Sequence, residues 1–207
     1  MQRRNLLYIV IDTSSSMQGE PIVAVQNGLK TMVASLNEDP AALESLHISI
    51  ITFNKDATVL APLTPIGDFR LPDSIEVPES SSTNMGNAID LLCDCIDKDM
   101  IKSTSTQRGD RKPIVILMTD GSPSDTRHFK LASKRLKSYH FSHFVVLAAG
   151  EAKTEPLELL TTEIQFISEL SIDRFSQYWE WASELVSYQV QAGDSGSQSF
   201  EFGLPDD

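Results

Sequence analysis

The sequence predicts an α/β fold in which helices flank a doubly wound, mostly parallel central sheet. Two observations lead to this fold class: short runs of consecutive apolar residues, and amphipathic segments of helical length that alternate with them. Consecutive apolar residues are typical of strands that are buried on both faces, as they are between two helical layers. Strands that alternate with helices favour parallel connections within one sheet.

Four apolar runs are predicted to form the buried strands. They are residues 6–11, 47–53, 113–118 and 144–149. Each run is too short for a core helix and contains β-branched residues, which favour strands. Residues 57–63 are predicted to form a short edge strand, and the proline- and serine-rich residues 64–82 a long loop of the kind that is usually functional or mobile.

Five segments have apolar residues at helical spacing and are predicted to be helices. They are residues 22–36, 85–96, 125–138, 156–160 and 172–190. Pro21 stands where proline is favoured, in the first turn of the first helix. On the last helix, Trp179 and Trp181 are about 200° apart around the axis, so we expect only one of the two indoles to be buried.

The chain is predicted to contain one domain, residues 1–190, followed by a flexible linker and tail at residues 191–207. A chain of 207 residues buries roughly 70% of its surface on folding, which is enough for a core without disulfides. The hydrophobic fraction is 41% and the charged fraction 22%, and both are typical of globular proteins. After residue 190 the composition changes to glycine, serine and glutamine, which is typical of a linker.

A net charge of −12 excludes several classes of partner. The surface field repels phosphate backbones and anionic lipids, so neither nucleic acid nor a membrane is expected to bind. Cys93 and Cys95 are the whole cysteine content, so no disulfide framework is predicted and a reducing compartment is favoured. The sequence has neither a convincing secretory signal nor an apolar run of membrane-spanning length, and we therefore expect a cytoplasmic protein.

Polar side chains follow two of the predicted strands at the point where each strand ends. Asp12, Ser14 and Ser16 come after the first strand, and Asp120 comes after the strand at residues 113–118. Open α/β sheets bind ligands at this carboxyl edge. Because two carboxylates in a dry crevice repel each other, either one is protonated or a cation lies between them.

The neighbouring hydroxyls favour the cation. Ser14 and Ser16 are alternate residues that project to one side, and oxygen donors of mixed charge suit Mg²⁺, with Mn²⁺ or Ca²⁺ as alternatives. No histidine or cysteine is positioned to favour zinc. Thr83, just before the helix at residues 85–96, has two open interpretations: its hydroxyl caps that helix or reaches the ion.

The pattern Asp12-x-Ser14-x-Ser16, then Thr83, then Asp120 resembles the metal-ion-dependent adhesion site of von Willebrand factor type A domains. The resemblance extends from residue 6 to about residue 190 and implies the Rossmann-like fold of that family. It also implies that Ser14, Ser16 and often Thr83 contact the metal, and that Asp12 and Asp120 bind it directly or through water. Ser15 stands where the family usually has glycine, which removes no ligand.

The residues around these motifs resemble a narrower group, the small bacterial type A proteins of the TerY kind. The similar stretches are residues 12–22, the strand end Ile51-Thr52-Phe53, and residues 117–125. Proteins of that group are associated with tellurium-resistance loci and stand beside a PP2C-like phosphatase and a protein kinase. This resemblance implies a cytoplasmic adaptor in a phosphorylation-linked stress response.

Our functional hypothesis is a protein-binding domain whose bound ion captures an Asp or Glu carboxylate of a partner, with no bond broken and hence no enzymatic activity. One alternative is a Mg²⁺-dependent phosphatase or phosphoryl transferase with Asp12 as nucleophile. Such enzymes need a second acid two residues later, where this chain has Ser14, and a lysine that the three loops lack. The other alternative is a purely structural acidic domain whose loop residues only cap helices.

Overall fold

A six-stranded sheet forms the centre of the computed structural model, which describes residues 3–150, 152–167 and 172–192. Its strands are β1 (Asn5–Asp12), β2 (Leu46–Phe53), β3 (Ala57–Pro65), β4 (Ile114–Thr119), β5 (His143–Ala149) and β6 (Glu163–Ile167). They lie in the order β3-β2-β1-β4-β5-β6, and every neighbouring pair is parallel except β2 with β3. The predicted fold class is confirmed, and the segment at residues 57–63 is an edge strand as expected.

Helices cover both faces of the sheet. They are α1 (Glu20–Glu38), α2 (Pro40–Ser45), α3 (Met85–Asp99), α4 (Thr126–Leu136), α5 (Thr154–Leu157) and α6 (Ile172–Ala192). The alternating side chains of β1 explain the two layers: Leu7, Ile9 and Ile11 belong to the core beneath α1, α2 and α6, whereas Tyr8 and Val10 belong to the core beneath α3 and α4. All of β1 is buried, which accounts for its uninterrupted apolar sequence.

Two elements were not predicted. β6 is an edge strand in which only Ile167 is buried, so it lacks the apolar run that identifies the central strands. α2 is six residues long and begins with Pro40 after Asp39, whose side chain accepts a hydrogen bond from the backbone N–H of Ala41 at 2.9 Å. That capping residue followed by proline was a readable signal of a helix start.

The long loop predicted at residues 64–82 is packed against the core. β3 continues to Pro65, and the following stretch buries the side chains of Ile66, Phe69 and Ile75 in the cluster beneath α1 and α6. These apolar anchors fix the loop to the sheet.

The expectation that only one tryptophan of the last helix is buried is wrong. Trp179 and Trp181 are 1% and 9% exposed, because α6 lies against both α1 and α2 and is therefore covered over a wide arc. Trp179 lies directly over Gly28 of α1, where a β-carbon would overlap its indole ring. The close approach of the two helices thus depends on a residue without a side chain.

The end of the described chain bears on the predicted domain limit. α6 continues to Ala192, two residues beyond the predicted end of the domain, and most of the predicted tail, residues 193–207, lies outside the described residues. Within the described ranges, no helix combines the length and the apolar character that crossing a bilayer requires.

Candidate metal centre

The candidate site lies at the carboxyl edge of the sheet, where β1 and β4 are neighbours. Ile11 pairs with Met118 in their parallel register, so the residues that follow, Asp12 on β1 and Asp120 beyond β4, come to the same edge. After Asp12 the chain makes one 3₁₀ turn, Ser15–Met17. The side chain of Met17 is 1% exposed and belongs to the core, which holds this turn against the sheet.

Both carboxylate oxygens of Asp12 accept hydrogen bonds. The backbone N–H of Ser14 donates to Oδ1 at 2.8 Å, and the hydroxyl of Thr119 donates to Oδ2 at 2.6 Å. Asp12 and Thr119 have no exposed surface. The orientation of the Asp12 carboxylate is therefore fixed from two sides, by its own loop and by the end of β4.

The two serine hydroxyls connect the first loop to Asp120. Ser14 Oγ lies 3.2 Å from Ser16 Oγ, and the Ser16 hydroxyl donates to Asp120 Oδ1 at 2.8 Å. Ser14 and Asp120 are buried, whereas Ser16 is exposed. Together these side chains form one cluster of oxygen atoms, from Asp12, Ser14, Ser16 and Asp120. Solvent reaches the cluster from the side of Ser16.

Thr83 borders this cluster and does not cap the helix that follows it. The N-terminal cap of α3 is Asn84, and that cap makes no side-chain hydrogen bond, so the capping interpretation of Thr83 is wrong. A β-carbon at Gly121 would lie 3.1 Å from Thr83 Oγ1, which places the hydroxyl against the loop that carries Asp120. Within the described part of the chain, this hydroxyl has no hydrogen-bond partner.

Burial makes it unfavourable for both carboxylates to be charged. Loss of solvent raises the pKa of Asp12 to about 6, the charge of Asp120 adds to this effect, and the hydrogen bonds from Thr119 and Ser14 oppose it. Burial also raises the pKa of Asp120, against the hydrogen bond from Ser16. A cation placed between the two carboxylates would remove this penalty.

The donor set suits a hard cation. It combines two carboxylates with up to three neutral hydroxyls, and oxygen donors of this kind fit Mg²⁺ or Mn²⁺ better than a metal that prefers nitrogen or sulfur ligands. Among the described residues there is no cluster of three or more His, Cys, Asp or Glu side chains suited to a metal ion. The hydroxyls of Ser14, Ser16 and Thr83 are the neutral oxygen atoms that lie beside these carboxylates.

Several residues that position the loops were not given a role from the sequence. Thr13 donates its hydroxyl to the carbonyl of Phe53 at 3.0 Å and accepts a hydrogen bond from the Asn54 side chain at 3.1 Å. These contacts attach the first loop to the end of β2. The role of Thr119 had a sequence signal, since it directly precedes Asp120 at the end of a strand, whereas the role of Asn54 had none.

Ser15, which stands where the resemblance noted above implies a glycine, does not strain the loop. Its hydroxyl donates to the carbonyl of Ser81 at 3.2 Å and so joins the first loop to the segment before α3. No non-glycine residue of the described chain has a positive φ, so this position requires no glycine conformation.

Comparison with known proteins gives one family and a consistent fold. The model of the von Willebrand factor type A domain matches residues 7–176. Proximal thread matrix protein 1 from the mussel byssus, in a structure with a zinc-occupied MIDAS motif, has a TM-score of 0.65 and 18% identity over 90% of this chain and 46% of its own. A von Willebrand factor type A protein from Catenulispora acidiphila has a TM-score of 0.64 and 14% identity over 89% of this chain and 42% of its own.

A pilus protein shares the fold as well. The PilB minor pilin from Streptococcus sanguinis has a TM-score of 0.65 and 11% identity over 90% of this chain and 62% of its own. In all three cases this chain spans less than two thirds of the other protein. A comparison with curated protein sequences found no match.

Proposed function

This chain belongs to the von Willebrand factor type A domain family, and from that membership we propose that it is a metal-dependent protein-binding domain. Asp12, Ser14, Ser16, Thr83 and Asp120 hold one divalent cation at the carboxyl edge of the sheet. The ion is Mg²⁺, with Mn²⁺ or Ca²⁺ as alternatives, and it supplies positive charge and an open coordination position. An Asp or Glu carboxylate of a partner protein binds there.

The observation that carries this proposal is a series of contacts: the backbone N–H of Ser14 donates to Asp12, the Ser14 hydroxyl lies beside that of Ser16, and the Ser16 hydroxyl donates to Asp120. These contacts support a site in which two carboxylates and two hydroxyls face a common ion, and Ser16 is exposed to solvent. With only two protein carboxylates, the charge of a divalent ion is balanced but not exceeded. A third carboxylate, from a partner, is therefore attracted by the ion although the surface around the site is acidic.

The environment of Asp12 supports coordination rather than catalysis. A carboxylate that attacks phosphorus needs a free oxygen in line with the leaving group. In this protein the Asp12 side chain is fully buried, and Ser14 stands where such enzymes have a second acid. We therefore propose a non-enzymatic function.

Calorimetric titration of Mg²⁺ and Mn²⁺ into chelator-treated protein tests the metal site. Wild-type protein is expected to bind one ion per chain, and the Ser14→Ala, Ser16→Ala variant to bind at least tenfold more weakly. Ser105→Ala, on an exposed loop far along the chain, is the matched control and retains wild-type affinity. Equal affinity in the double variant, or no binding by the wild type, would support the purely structural domain instead.

The partner is tested separately. An immobilised full chain is expected to retain its partner in Mg²⁺ and release it in EDTA, and the Ser14→Ala, Ser16→Ala variant to retain none. Following the resemblance to TerY-type proteins, we propose a PP2C-like phosphatase and a protein kinase as the partners, in a cytoplasmic stress response that includes tellurium resistance. Recovery that does not depend on the metal would contradict this proposal.

A further inference from the structure

The segment that leads into α3 is attached to the loop that follows β4. The backbone N–H of Thr83 donates to the Ser124 hydroxyl at 3.2 Å, and the backbone N–H of Ser124 donates to the Thr83 carbonyl at 2.9 Å. Both polar groups of the Thr83 backbone are therefore held by a single residue. Because that residue lies in the same loop as Asp120, between β4 and α4, Thr83 and Asp120 are carried by one local unit.

Asp125, the next residue of this loop, binds the first turn of α3. Its Oδ1 accepts a hydrogen bond from the backbone N–H of Gly86 at 3.3 Å. The first N–H groups of a helix have no partner within the helix, and a negative charge near them is favourable. Asn84, the N-terminal cap of α3, gives none of them a side-chain hydrogen bond. Asp125 thus supplies, from another part of the chain, a contact that the cap residue does not.

The Asp125 carboxylate occupies a confined place between α3 and α4. A β-carbon at Gly86 would lie 2.5 Å from its Oδ2 and 2.7 Å from the backbone nitrogen of Phe129, so α3 approaches α4 this closely only because residue 86 has no side chain. Oδ2 also lies 3.5 Å from Nδ1 of His128, and Nε2 of that histidine is 2.7 Å from Asp90 Oδ2 on α3. With only 13% of its side chain exposed, Asp125 has little freedom to turn away from Gly86.

The Thr83 hydroxyl depends on these contacts for its position, because within the described part of the chain it makes no hydrogen bond of its own. We infer that Ser124 and Asp125 are positioning residues for the metal centre: they hold Thr83 against the loop of Asp120, so that both side chains are aligned before an ion binds. This role rests on the metal site proposed above. Outer partners that orient the ligands without contacting the metal set much of a site's affinity.

Calorimetric titration of Mg²⁺ into the chelator-treated full chain compares Asp125→Ala with a matched variant. Asp125→Ala is expected to bind Mg²⁺ about tenfold more weakly than the wild type, since loss of an outer partner has an effect of this order. The control is Asp94→Ala, which also removes a carboxylate that joins α3 to α4, because Asp94 accepts a hydrogen bond from Arg135 at 2.7 Å. It lies in the second half of α3, away from Thr83, and should keep the wild-type affinity. Equal affinity in Asp125→Ala and Asp94→Ala would overturn the proposal.

The conservative variant Asp125→Asn separates position from charge. Its amide oxygen can still accept the hydrogen bond from Gly86, whereas the negative charge near the ion is lost. We expect its Mg²⁺ affinity to stay within about twofold of the wild type, because the hydrogen bond that fixes the start of α3 is kept. A loss as large as in Asp125→Ala would mean that Asp125 acts through its charge, which contradicts a positioning role.

A double-mutant cycle with Thr83→Ala tests whether the effect passes through Thr83. If Asp125 holds that hydroxyl in place, Asp125→Ala should weaken Mg²⁺ binding no more than Thr83→Ala does, and should change it less than about twofold when residue 83 is already alanine. Ser124→Ala, which removes one hydroxyl from an exposed residue, is expected to behave in the same way and, as a surface substitution, to leave the fold intact. Additive losses in the cycle would overturn the proposal.

Amide hydrogen exchange of the metal-free protein keeps this role distinct from the proposed function. Exchange should be faster at Gly86 in Asp125→Ala and at Thr83 in Ser124→Ala, because each variant frees that N–H group. Unchanged exchange in both variants would refute positioning even where the wild type binds Mg²⁺. Faster exchange in the variants, together with a wild type that binds no Mg²⁺, would instead refute the metal site.

Discussion

Replacing Asp12 by asparagine is expected to stabilise the metal-free protein while removing its response to metal. Asp12 is fully buried, and burial raises the pKa of its carboxyl from 3.8 to about 6. One pKa unit corresponds to 1.36 kcal/mol, so the charged form costs the folded state roughly 3 kcal/mol. Asparagine keeps the shape of the side chain and removes that charge.

The sign of the pH dependence follows from the raised pKa. The protonated carboxyl stabilises the fold fully below pH 3.8, and this contribution is lost as the pH rises through about 6. We therefore expect Asp12→Asn to match the wild type near pH 3.5 and to unfold with a free energy about 1–3 kcal/mol higher at pH 7.5. The lower limit allows for imperfect hydrogen bonding by the new amide.

The local contacts accept the amide. Its oxygen can take the hydrogen bond from the backbone N–H of Ser14, and its NH₂ group can donate to the hydroxyl of Thr119. That hydroxyl can then donate to the carbonyl of Gly121, which lies 3.2 Å away. The substitution thus keeps a hydrogen-bond partner at both ends of the side chain, and an unpaired end is the usual reason for a loss of stability at such a site.

Urea unfolding with EDTA or with Mg²⁺ at both pH values measures these effects. Mg²⁺ at a hundred times its Kd should raise the unfolding free energy of the wild type by about 2.7 kcal/mol and that of Asp12→Asn by nothing measurable. Asp68→Asn, at an exposed position, is the matched control. A metal-free variant less stable than the wild type at pH 7.5, or a difference that does not change with pH, would refute the reasoning.

Two further substitutions test the packing and the first loop. Gly28→Ala should destabilise the protein by about 3 kcal/mol in urea unfolding, because the added methyl overlaps the indole of Trp179; Gly67→Ala, whose β-carbon would make only an ordinary contact at 3.5 Å, should change stability little. Ser15→Gly should leave Mg²⁺ affinity within about twofold of the wild type in calorimetry, because the Ser15 hydroxyl bonds to the carbonyl of Ser81 rather than to the ion; a tenfold loss would give Ser15 a direct role.

The central strands were predictable because a strand that is buried on both faces consists of consecutive apolar residues, as in β1. β6 was not, because an edge strand needs apolar residues on one side only, and five residues give too short an alternation to recognise. Both tryptophans of α6 are buried because several neighbours surround that helix. The helical spacing of apolar residues identifies one buried face of a helix. It does not predict how many further faces are covered by neighbouring elements.

For the candidate site, the order along the chain of the residues with oxygen ligands was predictable, but the hydrogen bonds among them were not. The sequence places Asp12 and Asp120 at the ends of two strands, and the sheet order then makes those strands neighbours. The hydrogen bond from Thr119 to Asp12 depends on the rotamers of two buried side chains. The choice between capping and a free hydroxyl at Thr83 depends on local backbone angles that its residue type leaves open.

The contacts at the metal edge join parts of the chain that are distant in sequence. The Thr119 hydroxyl and the Asp12 carboxylate are 107 residues apart, and Ser16 and Asp120 are 104 apart. During refolding this cluster forms only after β1 and β4 have paired, a step that closes a large loop and is intrinsically slow. A signal that reports ion binding, recorded after dilution from urea, would therefore show when β1 and β4 pair during refolding.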